Sequence, residues 1–222
     1  MAVDVVTKDC TQLSDTELAE MADLCAEGPS KHEIGTLSKQ AEEWVLTTLV
    51  HEGSNLRGFS FSTLERIGGT PAILLGMACV KRYSKRDTAL RAVMNDNFRR
   101  ALMAFPDEDV LVGTRFATAD GFEAFKHLVD VVPRPGHKAS GEERAWGRRL
   151  AKRFSVDSDY DDQLFIAHGD GSYPLAFDHE SLKPEKIDAD VAAQFKKVNL
   201  KNGDSLISCG WIMAEELLKF DA

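Results

Sequence analysis

Three consecutive segments constrain this chain more than any others. Ala72 to Lys81 is apolar at almost every position, which marks a central strand covered on both faces. Asp87 to Phe105 follows, with Leu90, Met94, Phe98, Ala101, Leu102 and Phe105 on one stripe, while Arg91, Asn95, Arg99 and Arg100 lie mostly off it. Asp87 is placed as its N-cap and Pro106 ends it. Val110 to Thr114 is again a short apolar run. A strand, a helix and a strand at this spacing form a βαβ unit. The two strands are therefore expected to be parallel, with a right-handed crossover.

The residues before this unit predict antiparallel strands. Val45 to Val50 is apolar and β-branched, and His51 to Asn55 is turn chemistry. Leu56 to Ile67 alternates, with Phe59, Phe61 and Leu64 assigned to one face and Ser60 and Ser62 to the other. Gly68-Gly69-Thr70-Pro71 turns the chain into the central strand. Earlier still, Val3 to Val6 reads as a strand. Ser14-Asp15-Thr16-Glu17 fits a capping box, and Leu18, Met21, Ala22 and Cys25 follow at helical spacing to Gly28-Pro29. A second short helix is expected within Ser30 to Glu43.

Beyond Val131 the character changes. Val132 to Gly136 reads as a rigid connector, and Ser140-Gly141-Glu142-Glu143 is a second capping box. It opens a basic helix with Trp146, Leu150 and Phe154. Strands are expected near Leu164 to Ala167, Tyr173 to Phe177 and Ser205 to Cys209, with helices over Asp188 to Val198 and Ile212 to Phe220. The division is a core over residues 1–131 and a packed α/β extension over 132–222, together one structural domain. The extension is expected to cover a sheet edge or to mediate a homodimer.

The order of strand, helix, helix, three antiparallel strands, long helix, parallel strand and helix, over Val3 to Val131, resembles the acyl-CoA N-acyltransferase (GNAT) superfamily. The resemblance implies an α/β (α+β) fold, a mixed sheet flanked by helices, and transfer of an acyl group from an acyl-CoA or carrier thioester to an amine. It also implies a pyrophosphate site on the loop between the fourth strand and the long helix. The usual motif there is Q/R-x-x-G-x-G/A, in which glycines let backbone amides approach a phosphate at a helix N-terminus. Here the segment is Lys81-Arg82-Tyr83-Ser84-Lys85-Arg86-Asp87-Thr88. Arg82 stands at the first motif position, but Lys85 and Asp87 take the two small-residue positions. Lys85 adds a side chain where close approach needs none, and Asp87 adds a negative charge.

By this resemblance the cofactor-binding residues are Met77, Cys79, Lys81, Arg82, Lys85, Arg86 and Thr88. The edge from Leu75 to Ala78, opened by a bulge at Gly76, would polarise the thioester carbonyl. The helix that carries a tyrosine acid in the family offers Phe125 here, with Asp120 and Glu123 nearby. The fourth strand has no carboxylate, so Glu65 on the preceding strand is the candidate base. Two readings stay open: an N-acyltransferase, or a binding or structural protein on the same fold that has lost acetyl-CoA.

Other chemistries find little support. A net charge of −9 leaves no global basic footprint, so nucleic acid is not an expected partner. The basic stretch from Arg134 to Arg153 is diluted by Glu142 and Glu143. No apolar run reaches membrane-spanning length, and no membrane partner is expected. Four scattered cysteines suit a reducing cytoplasm. Asp157 to Asp162 begins like a Ca²⁺ loop but has Asp162 where glycine is needed and His168 where a glutamate is needed. His127, His137, His168 and His179 are too dispersed to form a metal set by spacing, and no metal is expected. An acyl-CoA and a small amine are the expected partners.

Overall fold

The structure, a computed structural model, describes residues 3–221. One mixed sheet runs through it. Strand β1 (Asp4–Asp9), β2 (Leu46–Glu52), β3 (Asn55–Ile67) and β4 (Thr70–Val80) form its antiparallel half. Strand β5 (Val110–Phe116) is parallel to β4, as the βαβ spacing predicts, with Ala72, Ile73 and Leu74 facing Leu111, Val112 and Gly113. Beyond β5 come β6 (Val129–Val132), β7 (Tyr160–Asp161), β8 (Ile166–Ala167), β9 (Phe177–Asp178) and β10 (Ser205–Ile212). Strand β10 pairs antiparallel along the whole of β5, from Val110↔Ile212 to Phe116↔Leu206, and so covers that edge.

Helix α1 (Asp15–Ala26) starts on the predicted box: the Ser14 hydroxyl accepts from the Glu17 amide, and the Glu17 carboxylate accepts from the Ser14 amide at 2.9 Å. It packs with α2 (Ile34–Glu43) on one face of the sheet, over Leu49, Phe59, Phe61, Met77 and Cys79. Helix α3 (Arg86–Ala104) lies on the other face. Its Leu90, Val93, Met94 and Phe98 cover Val50, Ile73, Leu75, Val112 and Phe116. Helix α4 (Gly141–Arg153), on the second predicted capping box, seats Trp146 and Leu150 over Leu74, Leu111 and Ile207. Two short helices, α5 (Ala189–Gln194) and α6 (Ala214–Leu217), complete the C-terminal part.

Several local expectations are corrected. Leu64 lies on the α3 face, opposite Phe59 and Phe61, because a strand alternates with period two. Ser60 and Ser62 share that face and are fully buried under α3. The helix expected after the parallel strand is a 3₁₀ helix at Ala119–Phe125. Val132 belongs to β6, which pairs with β10, so the supposed connector begins one residue later. Helix α3 starts at Arg86 with Lys85 at its N-cap, and that cap makes no side-chain hydrogen bond. Asp87 sits inside the first turn.

Candidate functional site

The two parallel strands separate after three paired positions. Leu74 still faces Gly113, but beyond it β9 enters between β4 and β5. Ala78 and Cys79 pair with Phe177 and Asp178, and Phe177 also pairs with Phe116 on β5. The Ala78 amide donates to the Ala176 carbonyl at 3.4 Å. The wedge between the splayed strands is therefore filled by the chain's own backbone. Phe177 is fully buried there, against Phe116 at 6.0 Å between ring centroids.

Strand β4 is bulged just before this point. Ser60 faces Ala78 and Ser62 faces Leu75, so Gly76 and Met77 together oppose Phe61. This is where the sequence placed a bulge. The glycine has a packing reason: a Cβ on Gly76 would lie 2.4 Å from the Trp44 indole. The Leu75 carbonyl accepts from Thr114 Oγ1 at 2.8 Å.

At the end of β4 the four loop cations each meet an acid. Lys81 pairs with Glu27 at 2.5 Å, and Lys85 with Glu52 at 2.5 Å. Arg82 reaches Asp178 at 2.7 Å and Glu180 at 3.3 Å. Arg86 pairs with Glu180 at 2.8 Å and donates to the backbone carbonyls of Glu180 and Ser181. Burial opposes the Arg82 charge, but Asp178 outweighs it and holds the guanidinium protonated. Glu52 is pulled below the usual carboxylate range, chiefly by Lys85. The run Asp178-His179-Glu180 thus supplies two carboxylates to the two arginines that the resemblance assigns to a pyrophosphate.

The other side of the wedge is closed by groups around the same segment. Asp87 Oδ1 accepts from the Leu182 amide at 3.3 Å. Asp120 Oδ2 accepts from the Ser181 amide at 2.8 Å, and Glu123 takes the Ser181 hydroxyl. These carboxylates hold the segment. Phe125, at the position where the family carries an acid, is buried in the α3 core.

The remaining candidates are placed as follows. Cys79 is fully buried; a hydrogen bond with Cys25 and desolvation push its thiol far up, so it is a core group and a poor nucleophile. Met77 packs beside it. Thr88 lies in the first turn of α3 and lines a cavity of about 720 Å³ with Asp87, Leu90, Phe122 and Glu123. Glu65 pairs with Arg153 at 2.5 Å and faces Ala72 across the strands. At ~3.3 Å per residue that is about 20 Å from Ala78, so the structure does not bring Glu65 to the wedge.

One residue escaped the sequence reading. Arg115 projects from β5 into a cavity of about 220 Å³ that Gln40, Trp44, Phe154 and Leu175 also line. Its Nε donates to Ser205 Oγ at 3.0 Å, and burial pushes its guanidinium down to about 10. Strand alternation could have flagged a cation inside the Val110–Phe116 run.

No protein-family model matches the chain, and no curated protein matches it. Among solved structures it is similar to the ribosomal-protein-S18-alanine N-acetyltransferase from Escherichia coli, at 10% identity over 95% of each chain with a TM-score of 0.48. It is also similar to an acyl-CoA N-acyltransferase from Pseudomonas aeruginosa, at 12% identity over 62% of this chain and 93% of that one, TM-score 0.43. A third is an aminoglycoside N-acetyltransferase in complex with CoA, at 14% identity over 50% and 76%, TM-score 0.38. The chain is a mixed sheet flanked by helices, in the element order on which the resemblance to the GNAT superfamily rests, and likenesses this distant add nothing finer. Among the described residues no helix is long and apolar enough to cross a membrane.

Proposed function

We propose that this chain is a binding or structural protein on the acyltransferase fold, with a segment of its own chain standing where an acyl-CoA would lie. The observation that carries this reading is the insertion of Ala176–Asp178 between β4 and β5. In acyl transfer, β4 amides polarise the thioester carbonyl and a cationic helix N-terminus holds the pyrophosphate. Here the Ala78 amide is spent on Ala176, and Arg82 and Arg86 are spent on Asp178 and Glu180. Lys85 and Asp87 add bulk and negative charge at the two motif positions. Each departure disfavours a phosphate, and all of them favour the internal segment.

A thermal-shift titration with acetyl-CoA and longer acyl-CoAs tests the reading. A ligand selective for the native state must raise the melting temperature. No rise at millimolar acyl-CoA is expected. A saturable rise would favour the second reading, an N-acyltransferase whose segment is displaced by cofactor. One observation favours that alternative: β9 pairs through two residues, and its arginine contacts are ones a pyrophosphate also makes well.

A further inference from the structure

His179 is the residue that neither reading uses, and its surroundings are unusual. Its side chain is fully buried, and neither Nδ1 nor Nε2 has a hydrogen-bond partner. Nε2 lies 3.3 Å from Asp87 Oδ1, close but not aligned for a hydrogen bond. A buried imidazole without partners costs free energy, so something must compensate it. Three carboxylates face it, from Asp87, Asp120 and Glu123, against one cation, Arg86. Arg86 is already committed to Glu180 and Ser181.

Donor atoms of Asp87, Glu123 and His179 all lie within 4.8 Å of one another. They come from three separate places: the first turn of α3, the 3₁₀ helix after β5, and the residue following β9. One imidazole and two carboxylates form a borderline donor set that suits zinc and its divalent neighbours better than Mg²⁺ or Ca²⁺. Asp87 and Glu123 also line the 720 Å³ cavity, from which water or a ligand oxygen can complete the coordination.

We infer that Asp87, Glu123 and His179 form a binding site for a divalent transition metal of the zinc class. The ion ties the inserted segment to both α3 and the segment after β5. Asp87 then has a positive role. The residue that spoils the phosphate motif is the one that anchors His179. The inference does not depend on whether acyl-CoA binds, because the metal is read directly.

The test uses the full chain, stripped with a chelator and titrated with ZnCl₂, MnCl₂ and MgCl₂. The expected result is saturable zinc binding at one ion per chain, a rise in melting temperature, and much weaker binding of Mg²⁺. His179→Asn is expected to lower zinc affinity by roughly 100-fold or more, since loss of a mere outer-shell partner costs 10- to 100-fold. Should that buried variant fold poorly, Glu123→Gln and Asp87→Asn read the same loss from partly exposed positions. Cobalt substitution should give d–d bands without thiolate charge-transfer absorption, which separates this site from the cysteines. Absence of saturable zinc binding overturns the inference and leaves His179 as a buried imidazole whose protonation burial disfavours. Zinc affinity unchanged in all three variants overturns it as well.

Discussion

The two halves of β4 solve the same problem in different ways. Ala72 to Leu74 pair directly with β5, and apolar side chains from α4 and β10 cover the join. Ala78 and Cys79 pair instead with a two-residue strand contributed from nearly a hundred positions away, and ion pairs with Arg82 and Arg86 secure it. The first half is an ordinary sheet. In the second half β4 and β5 separate, and a segment of the chain itself fills the gap between them. The second half thus depends on contacts between residues 82–87 and a segment from the C-terminal third.

The largest effect should come from truncating the wedge itself. Phe177→Ala removes a fully buried ring, and a loss of about 3–5 kcal/mol is expected in urea denaturation. Leu74→Ala, in the first half, should cost about 2–5 kcal/mol as an ordinary core deletion. Only Phe177→Ala should also raise hydrogen exchange at residues 176–181; equal exchange in both variants would remove the distinction between the halves. Next comes Arg82→Met, which leaves the nearly buried Asp178 carboxylate without its cation. Breaking a buried pair from one side costs about 3–5 kcal/mol, and partial exposure of Arg82 places this case at or below the lower end.

Gly76→Ala should then cost about 1–3 kcal/mol, because Trp44 must move off the bulge. Tryptophan fluorescence should change with it. A milder, pH-dependent effect is expected at Glu52. Its folded pKa is depressed, so its contribution is present above the ordinary value of 4.5 and is lost as pH falls through the folded value. Glu52→Gln should therefore flatten the acid limb of stability below about pH 4.5. The smallest change is expected for Glu65→Gln, within about 1 kcal/mol, as for other exposed ion pairs.

The regular parts of the fold were legible in the sequence, for reasons of length and pattern. Asp87 to Phe105 carries several turns of apolar periodicity, and both capping boxes place a serine and a glutamate three residues apart, so local chemistry alone specifies them. The parallel pairing of β4 and β5 followed from the intervening helix. The wedge was not legible. Two residues have no periodicity, and Phe177 and Asp178 acquire meaning only beside Ala78 and Arg82. Asp87 was misread for a related reason: an acid near a helix start suggests a cap, whereas its partners are Leu182 and His179 from far along the chain. Ser60 and Ser62 read as a polar face, yet α3 buries them. Arg82 was singled out as a pyrophosphate-binding cation, whereas the structure pairs it with Asp178, a carboxylate that sequence alone could not name.

The central claim is that Ala176–Asp178 holds the β4–β5 cleft. Hydrogen exchange across residues 176–181 of the full chain, with and without millimolar acetyl-CoA, tests it most directly. The account predicts slow exchange at Phe177 and Asp178 that acetyl-CoA leaves unchanged. Loss of that protection on adding acetyl-CoA, together with new protection at residues 81–88, would contradict it.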